Sequence, residues 1–186
     1  MLNTVASNIA HIEREIAQSC RQSGRSDDRV MLLAVTKTVN VERILEAVAA
    51  GQRRFGENYV QEAVEKIQTL RELHPELLRG SGEQVPLEWH LIGPLQNNKT
   101  RIVAEYFDWV QSLDALKTAQ RLSAQRPADL PDLQICIQVN VDGAATKSGV
   151  APQDVSDLAL AIQALPRLRL RGLMSIPNPQ DSLLQT

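Results

Sequence analysis

The feature that most constrains this chain is an alternation. Six short apolar runs of strand type are separated, without interruption, by stretches of helical periodicity. Such a pattern predicts a parallel sheet with helices outside it. The strand runs are residues 31–37 (MLLAVTK), 52–58, 88–93 (EWHLIG), 108–113, 133–141 (LQICIQVNV) and 167–176 (RLRLRGLMSI). Helical spacing covers residues 4–22 through Val5, Ile9, Ile12 and Ile16, with Gly24 as a stop. It returns at residues 41–50, with Asn40 as N-cap and Gly51 at the end, and at residues 59–73. Further helices are predicted through Ile102, Val103 and Tyr106, from the N-cap Asp114 to about Gln125, and over residues 152–165. Residues 74–86, with Pro75, Gly80, Ser81, Gly82 and Pro86, read as a long surface loop.

No glycine-rich phosphate loop follows the first strand, which counts against a dinucleotide-binding sheet. The polar residues of the strands keep one parity. In the fifth run Ile135, Ile137, Val139 and Val141 alternate with Cys136, Gln138 and Asn140, and in the third His90 shares a face with Ile92. A barrel lumen, polar towards the C-terminal rim of its strands, explains this better than an open sheet with two apolar faces.

The first run ends in Lys37. Five consecutive apolar residues, Met31 to Val35, predict a strand buried on both faces, opening at Thr36-Lys37-Thr38 into a strand-to-helix loop. In parallel α/β folds ligands bind at that edge. A lysine held partly out of water there has its neutral amine favoured, and a neutral amine is the nucleophile that attacks an aldehyde. The alternative is a solvated lysine at a strand end. The same edge collects Asn58, His90, Asn140 and Ser175. Each has a plain explanation too: Asn58 as a helix cap, His90 as a satisfied core histidine, Asn140 as a partner of the adjoining loop.

With 186 residues the chain is long enough for a sizeable core, and its net charge of −2 offers no basic surface for nucleic acid or membrane. The two cysteines, Cys20 and Cys136, lie far apart, make no metal-ligand spacing and suit a reducing compartment. Residues 1–15 carry histidine and acids where a signal peptide needs an apolar run. A soluble, cytoplasmic protein is expected.

The segments LLAVTK, AGQRRFGENYVQE, EWHLIGPLQNNK, QVNVDGAATKSGV and RLRLRGLMSIP, in that order, closely resemble the pyridoxal-phosphate homeostasis protein family. Members of that family look like the N-terminal barrel of alanine racemase standing alone. The resemblance implies an α/β fold of the (β/α)8 TIM-barrel type and pyridoxal 5′-phosphate held as a Schiff base on Lys37. It also implies that Asn58 and His90 line the ring side of the pocket and that Met174 packs nearby. Lys147 is either a secondary amine for transient aldehyde capture or a solvated loop charge. The implied role is to store the cofactor or hand it to enzymes that require it, as a monomer in the full-length form and without turnover of its own. A (β/α)8 barrel takes roughly 200 residues or more. Residues 1–186 are therefore expected to be a single barrel domain, incomplete at its C-terminal end. The family's late phosphate-holding segments, a Ser-containing loop and an Arg-Ile-Gly-(Thr/Ser) stretch, have no counterpart here. Two alternatives stay open: an amino-acid racemase, and a scaffold that does not bind the cofactor because the phosphate site is missing. Racemisation needs a base on each face of the substrate. Lys37 serves one face, and the tyrosines Tyr59 and Tyr106 both fall in predicted helices.

Overall fold

The computed structural model describes residues 4–26, 30–79, 85–143 and 147–177. Six strands alternate with helices as the periodicity predicts. In chain order they are α1 (Val5–Gln22), β1 (Ala34–Val35), α2 (Val41–Ala49), β2 (Arg54–Glu57), α3 (Val60–Leu73), α4 (Pro75–Arg79) and β3 (Glu88–Leu91). Then follow α5 (Thr100–Tyr106), β4 (Trp109–Leu113), α6 (Leu116–Gln125), β5 (Leu133–Gln138), α7 (Val155–Gln163) and β6 (Leu168–Met174). Single 3-10 turns lead into α5 and α7. The strand order is β1-β2-β3-β4-β5-β6, the order of the chain itself, and the described pairings are parallel. Sequential order is what βα units wound in one direction produce; a doubly wound sheet reverses at its switch point. Among the described residues no helix is long and apolar enough to cross a membrane.

The helix starts have local causes. Thr4 and Ser7 exchange side-chain-to-backbone hydrogen bonds of 3.1 Å each at the head of α1. Asn40 caps α2 as expected, its Oδ1 accepting the Arg43 N–H at 3.2 Å. Asp114 does not cap α6: that place falls to Ala115, whose side chain cannot cap, and the first turn begins one residue later. The loop expected at 74–86 contains α4, because Pro75 suits a first helical turn. Leu87 is buried with its N–H on the Leu77 carbonyl; the middle of that stretch, residues 80–84, lies outside the described residues.

The chain packs as two compact units. One comprises Met1–Gly56 with Gln61–Glu88, the other Glu57–Val60 with Trp89–Thr186. The core of the first is Ile44, Phe55, Ala63, Ile67 and Leu70, each at most 1% exposed. The core of the second is built from Val103, Phe107, Val110, Leu122, Leu133, Ile135 and Ile162, likewise sealed. Arg126 closes that core at the end of α6. Its guanidinium donates to the carbonyls of Ala104 (2.8 Å), Phe107 (2.7 Å) and Pro131 (2.8 Å). Burial pulls its pKa down, while Asp108 and Asp132 oppose that shift.

The first strand departs from expectation. Only Ala34 and Val35 join the ladder, opposite Phe55 and Gly56. Met31 is 58% and Val35 50% exposed, so the run is not buried on both faces. An apolar run reports hydrophobicity, whereas burial needs neighbours on each face. Upstream of β1 a side chain replaces the ladder: Gln52 Nε2 donates to the Leu32 carbonyl at 3.0 Å.

Candidate functional site

Lys37 sits just past the C-terminal end of β1, in a tight turn. The Thr36 carbonyl accepts the Val39 N–H at 3.0 Å, and Thr38 adopts φ 61°. A positive φ at the third residue is the type II pattern, normally met by glycine or asparagine. A β-branched residue there is strained by about 1–3 kcal/mol and persists only where its surroundings hold it. They do so here. The Thr38 N–H donates to Glu62 Oε1 at 2.6 Å, and its hydroxyl donates to the Lys37 carbonyl at 2.6 Å. Lys66, one helical turn along α3, donates to the same Glu62 oxygen at 2.6 Å and to the Thr36 carbonyl at 2.7 Å. The hydrogen bond from Lys66 holds the Glu62 carboxyl below its ordinary pKa, aided by the Thr38 N–H and opposed by partial burial. The buried lysine is thus Lys66, at 7% exposure, while Lys37 is exposed. The expectation that Lys37 is held partly out of water is corrected. Its strand is short and its turn projects from it.

Asn58 lies in the second unit, directly after β2. The Ile92 N–H donates to the Glu57 carbonyl at 2.9 Å, which brings the two strand ends together. Beyond them the backbone of Asn58 lies against Gly93. A β-carbon on Gly93 would stand 2.3 Å from the Asn58 carbonyl oxygen and 2.7 Å from its Cα. Ser112 Oγ donates to the Gly93 carbonyl at 2.6 Å and fixes it from the other side. Asn58 and Gly93 line a cavity of about 240 Å³ with Ile92, Gln138, Asn140, Lys147 and Ile176. The loop after β5 folds back over its wall. Gly149, at φ 119°, packs on the backbone of Gln138 to Asn140, and the Val150 N–H donates to the Gln138 carbonyl at 2.9 Å. Asn140 pairs with that loop as its plain reading predicts, its N–H on the Val150 carbonyl. Lys147 is neither a free amine nor a solvated charge. Its ammonium is paired with Asp142 and donates to the Ile176 carbonyl.

The polar parity of the strands is real within the second unit. His90 stands opposite Trp109 and Trp109 opposite Gln134, so all three share the face of Cys136 and Gln138. His90 is buried and stacks on Trp109 with centroids 5.0 Å apart; its Nδ1 lies 3.0 Å from Gln111 Nε2. Arg171 covers the Trp109 ring at 5.7 Å. Burial raises the pKa of the Cys136 thiol against the pull of Arg171, as suits an inert thiol. Met174 reaches this face through an irregularity. Ile135 pairs with Leu170 but Cys136 pairs with Gly172, so Arg171 is an extra residue and the phase of β6 flips. Met174 then lies opposite Gln138. Ser175 follows β6 and is exposed.

Of the four residues expected to hold a cofactor, Lys37 belongs to the first unit and Asn58, His90 and Met174 to the second. Asn58 lines the cavity, whereas His90 and Met174 lie on the polar strand face. Sequence reasoning missed Glu62, Lys66, Gly93 and Gly149. Glu62 and Lys66 stand at i,i+4 on a helix, a spacing that carries no sign of which face is covered. Gly93, between a strand and Pro94, was readable as a position needing a bare Cα.

The chain matches the family described as alanine racemase, N-terminal domain, over residues 7–185. It is 54% identical over 177 residues to the pyridoxal phosphate homeostasis protein of Vibrio cholerae, covering 95% of this chain and 72% of the relative. With the Escherichia coli protein of the same name it shares 47% over 184 residues, covering 99% and 75%. The structure of PipY from Synechococcus elongatus with pyridoxal phosphate bound superposes with a TM-score of 0.69 at 34% identity, over 92% of this chain and 73% of that one.

Proposed function

This chain belongs to the family of the alanine racemase N-terminal domain and, within it, to the pyridoxal phosphate homeostasis proteins, and from that premise we propose that it binds pyridoxal 5′-phosphate to maintain the cell's supply of it. The observation that carries the reading is Lys37: an exposed primary amine at the C-terminal end of a parallel strand, on a turn held in a strained conformation. Those features fit the aldehyde end of the cofactor. When bound, the cofactor supplies an aldehyde. The Lys37 amine adds to its carbon, water leaves, and a C=N bond, a Schiff base, joins the two. Asn58 lines the cavity of its own unit, and His90 and Met174, sharing the polar strand face, are assigned to the lining of the ring. The name shared by the relatives and the cofactor bound to PipY support the binding of pyridoxal phosphate. The protein acts as a carrier, monomeric and cytoplasmic, that releases the cofactor to enzymes requiring it.

Turnover is no part of this reading. A racemase needs a second base opposite the lysine. Tyr106 ends α5, and Tyr59, expected in a helix, instead precedes α3; neither is assigned that role.

The test is spectroscopic. Adding pyridoxal 5′-phosphate should produce an absorbance band near the visible edge, borohydride should remove it, and peptide mapping should place the reduced adduct on Lys37. Lys37→Ala should abolish the band. A band of unchanged intensity in that variant refutes the assignment.

A further inference from the structure

We propose that Glu62 and Lys66 are positioning residues that aim the Lys37 amine. The inference rests on the reading of Lys37 as the residue that holds the cofactor. Lys37 is the second residue of the Thr36–Val39 turn, and α3 grips the peptide groups on both sides of it. On one side Lys66 donates to the Thr36 carbonyl at 2.7 Å; on the other Glu62 accepts the Thr38 N–H at 2.6 Å. One carboxylate oxygen, Oε1 of Glu62, links the two by also accepting from Lys66. The i,i+4 spacing puts both groups on one face of α3, so a rigid helix holds both contacts in register.

Surface ion pairs contribute little and need no such arrangement. This pair differs in two respects. The Lys66 side chain is only 8% exposed, and its ammonium also bonds to a backbone carbonyl next to Lys37. The contact with Thr38 falls on the one residue of the turn whose backbone is strained. Without an acceptor on its N–H, a β-branched residue leaves the left-handed region, and the peptide that sets the Lys37 Cα–Cβ direction rotates with it. The Lys37 side chain is long and exposed, so its backbone direction is what the fold can pre-set for attack on an aldehyde.

The experiment measures the rate at which the near-visible band appears after pyridoxal 5′-phosphate is mixed with the whole chain. Borohydride mapping and circular dichroism accompany it. Glu62→Ala and Lys66→Met should each slow band formation about tenfold, with the adduct still on Lys37 and the folded fraction unchanged. Glu62→Gln, which keeps an acceptor for the Thr38 N–H, should fall between Glu62→Ala and wild type. Thr38→Asn should restore part of the rate in the Glu62→Ala background, because asparagine tolerates the left-handed region. A merely structural pair would lower the melting temperature and leave the rate of the folded protein at the wild-type value; that result overturns the proposal. If Glu62→Ala does not fold, Glu62→Gln decides: an intermediate rate supports the proposal and a wild-type rate overturns it. Wild-type protein that forms no Lys37 adduct refutes the cofactor reading itself, and the positioning role with it. A normal wild-type adduct with unaffected variants refutes the positioning role alone.

Discussion

Three glycines in this fold separate three physical effects that a single Gly→Ala change usually mixes. At Gly93 the new methyl would meet backbone, 2.3 Å from the Asn58 carbonyl oxygen. Backbone cannot swing aside as a flexible side chain does, so one strand end must move. That motion strains the Ile92 to Glu57 and Ser112 to Gly93 hydrogen bonds, now 2.9 and 2.6 Å. Overpacking costs about 1–3 kcal/mol, and a weakened hydrogen bond adds about 1 kcal/mol. The expected loss for Gly93→Ala is therefore about 2–4 kcal/mol, a large share of a native stability of about 5–15 kcal/mol. Gly51 has φ 97° but open space around it, so Gly51→Ala meets only the left-handed penalty of about 1–2 kcal/mol. Gly172, inside β6, has neither a positive φ nor an atom within 4 Å of the new carbon. Gly172→Ala should be neutral or stabilising by up to about 1 kcal/mol, because it reduces the freedom of the unfolded chain. Urea unfolding followed by far-UV circular dichroism reads all three. With a slope of about 2 kcal/mol/M, the Gly93→Ala midpoint should fall by about 1–2 M. The expected order of stability is Gly172→Ala, wild type, Gly51→Ala, Gly93→Ala. If Gly93→Ala unfolds within about 0.5 kcal/mol of Gly172→Ala, the contact with Asn58 is not what requires glycine, and the account of that strand junction fails.

The other expectations are briefer. Arg126→Ala should cost about 3–5 kcal/mol, since three carbonyls, those of Ala104 and Phe107 in buried hydrogen bonds, lose a charged donor, and Arg126→Lys should recover little because an ammonium lacks the fork; a loss under about 1 kcal/mol in a urea melt would contradict this. Glu62 has a depressed pKa in the folded state, so its contribution is present above its ordinary value of 4.5 and is lost as pH falls through the lower folded value. The stability difference between wild type and Glu62→Gln should therefore shrink on acidification; a difference that stays constant into acid would count against the pairing with Lys66. Cofactor-loaded protein incubated with L-alanine in deuterated water should exchange the α-hydrogen no faster than free cofactor, and exchange accompanied by D-alanine would replace the carrier reading with that of a racemase.

By itself the sequence determined the order of the six strands and of the helices between them, α4 excepted. Short apolar runs alternating with helical periodicity dictate parallel βα units, and the polar parity of residues 133–141 marks the face shared by Gln134, Cys136 and Gln138. Lys37 stands out as a candidate because a lysine closing an apolar run is conspicuous and five ordered motifs tie it to a family. Tertiary structure decided what each residue meets. It exposed Lys37, which closes an apolar run, and buried Lys66, which follows a glutamate on an amphipathic helix. It turned Met174 onto the polar face through one extra residue in β6, against the parity that Leu168 and Leu170 suggest. It also shortened the first strand to two residues. Periodicity is a local property, set by the backbone's own repeat. Burial, strand register and the partners of a charge depend on which distant segments arrive beside a residue, and the pattern around that residue does not contain them.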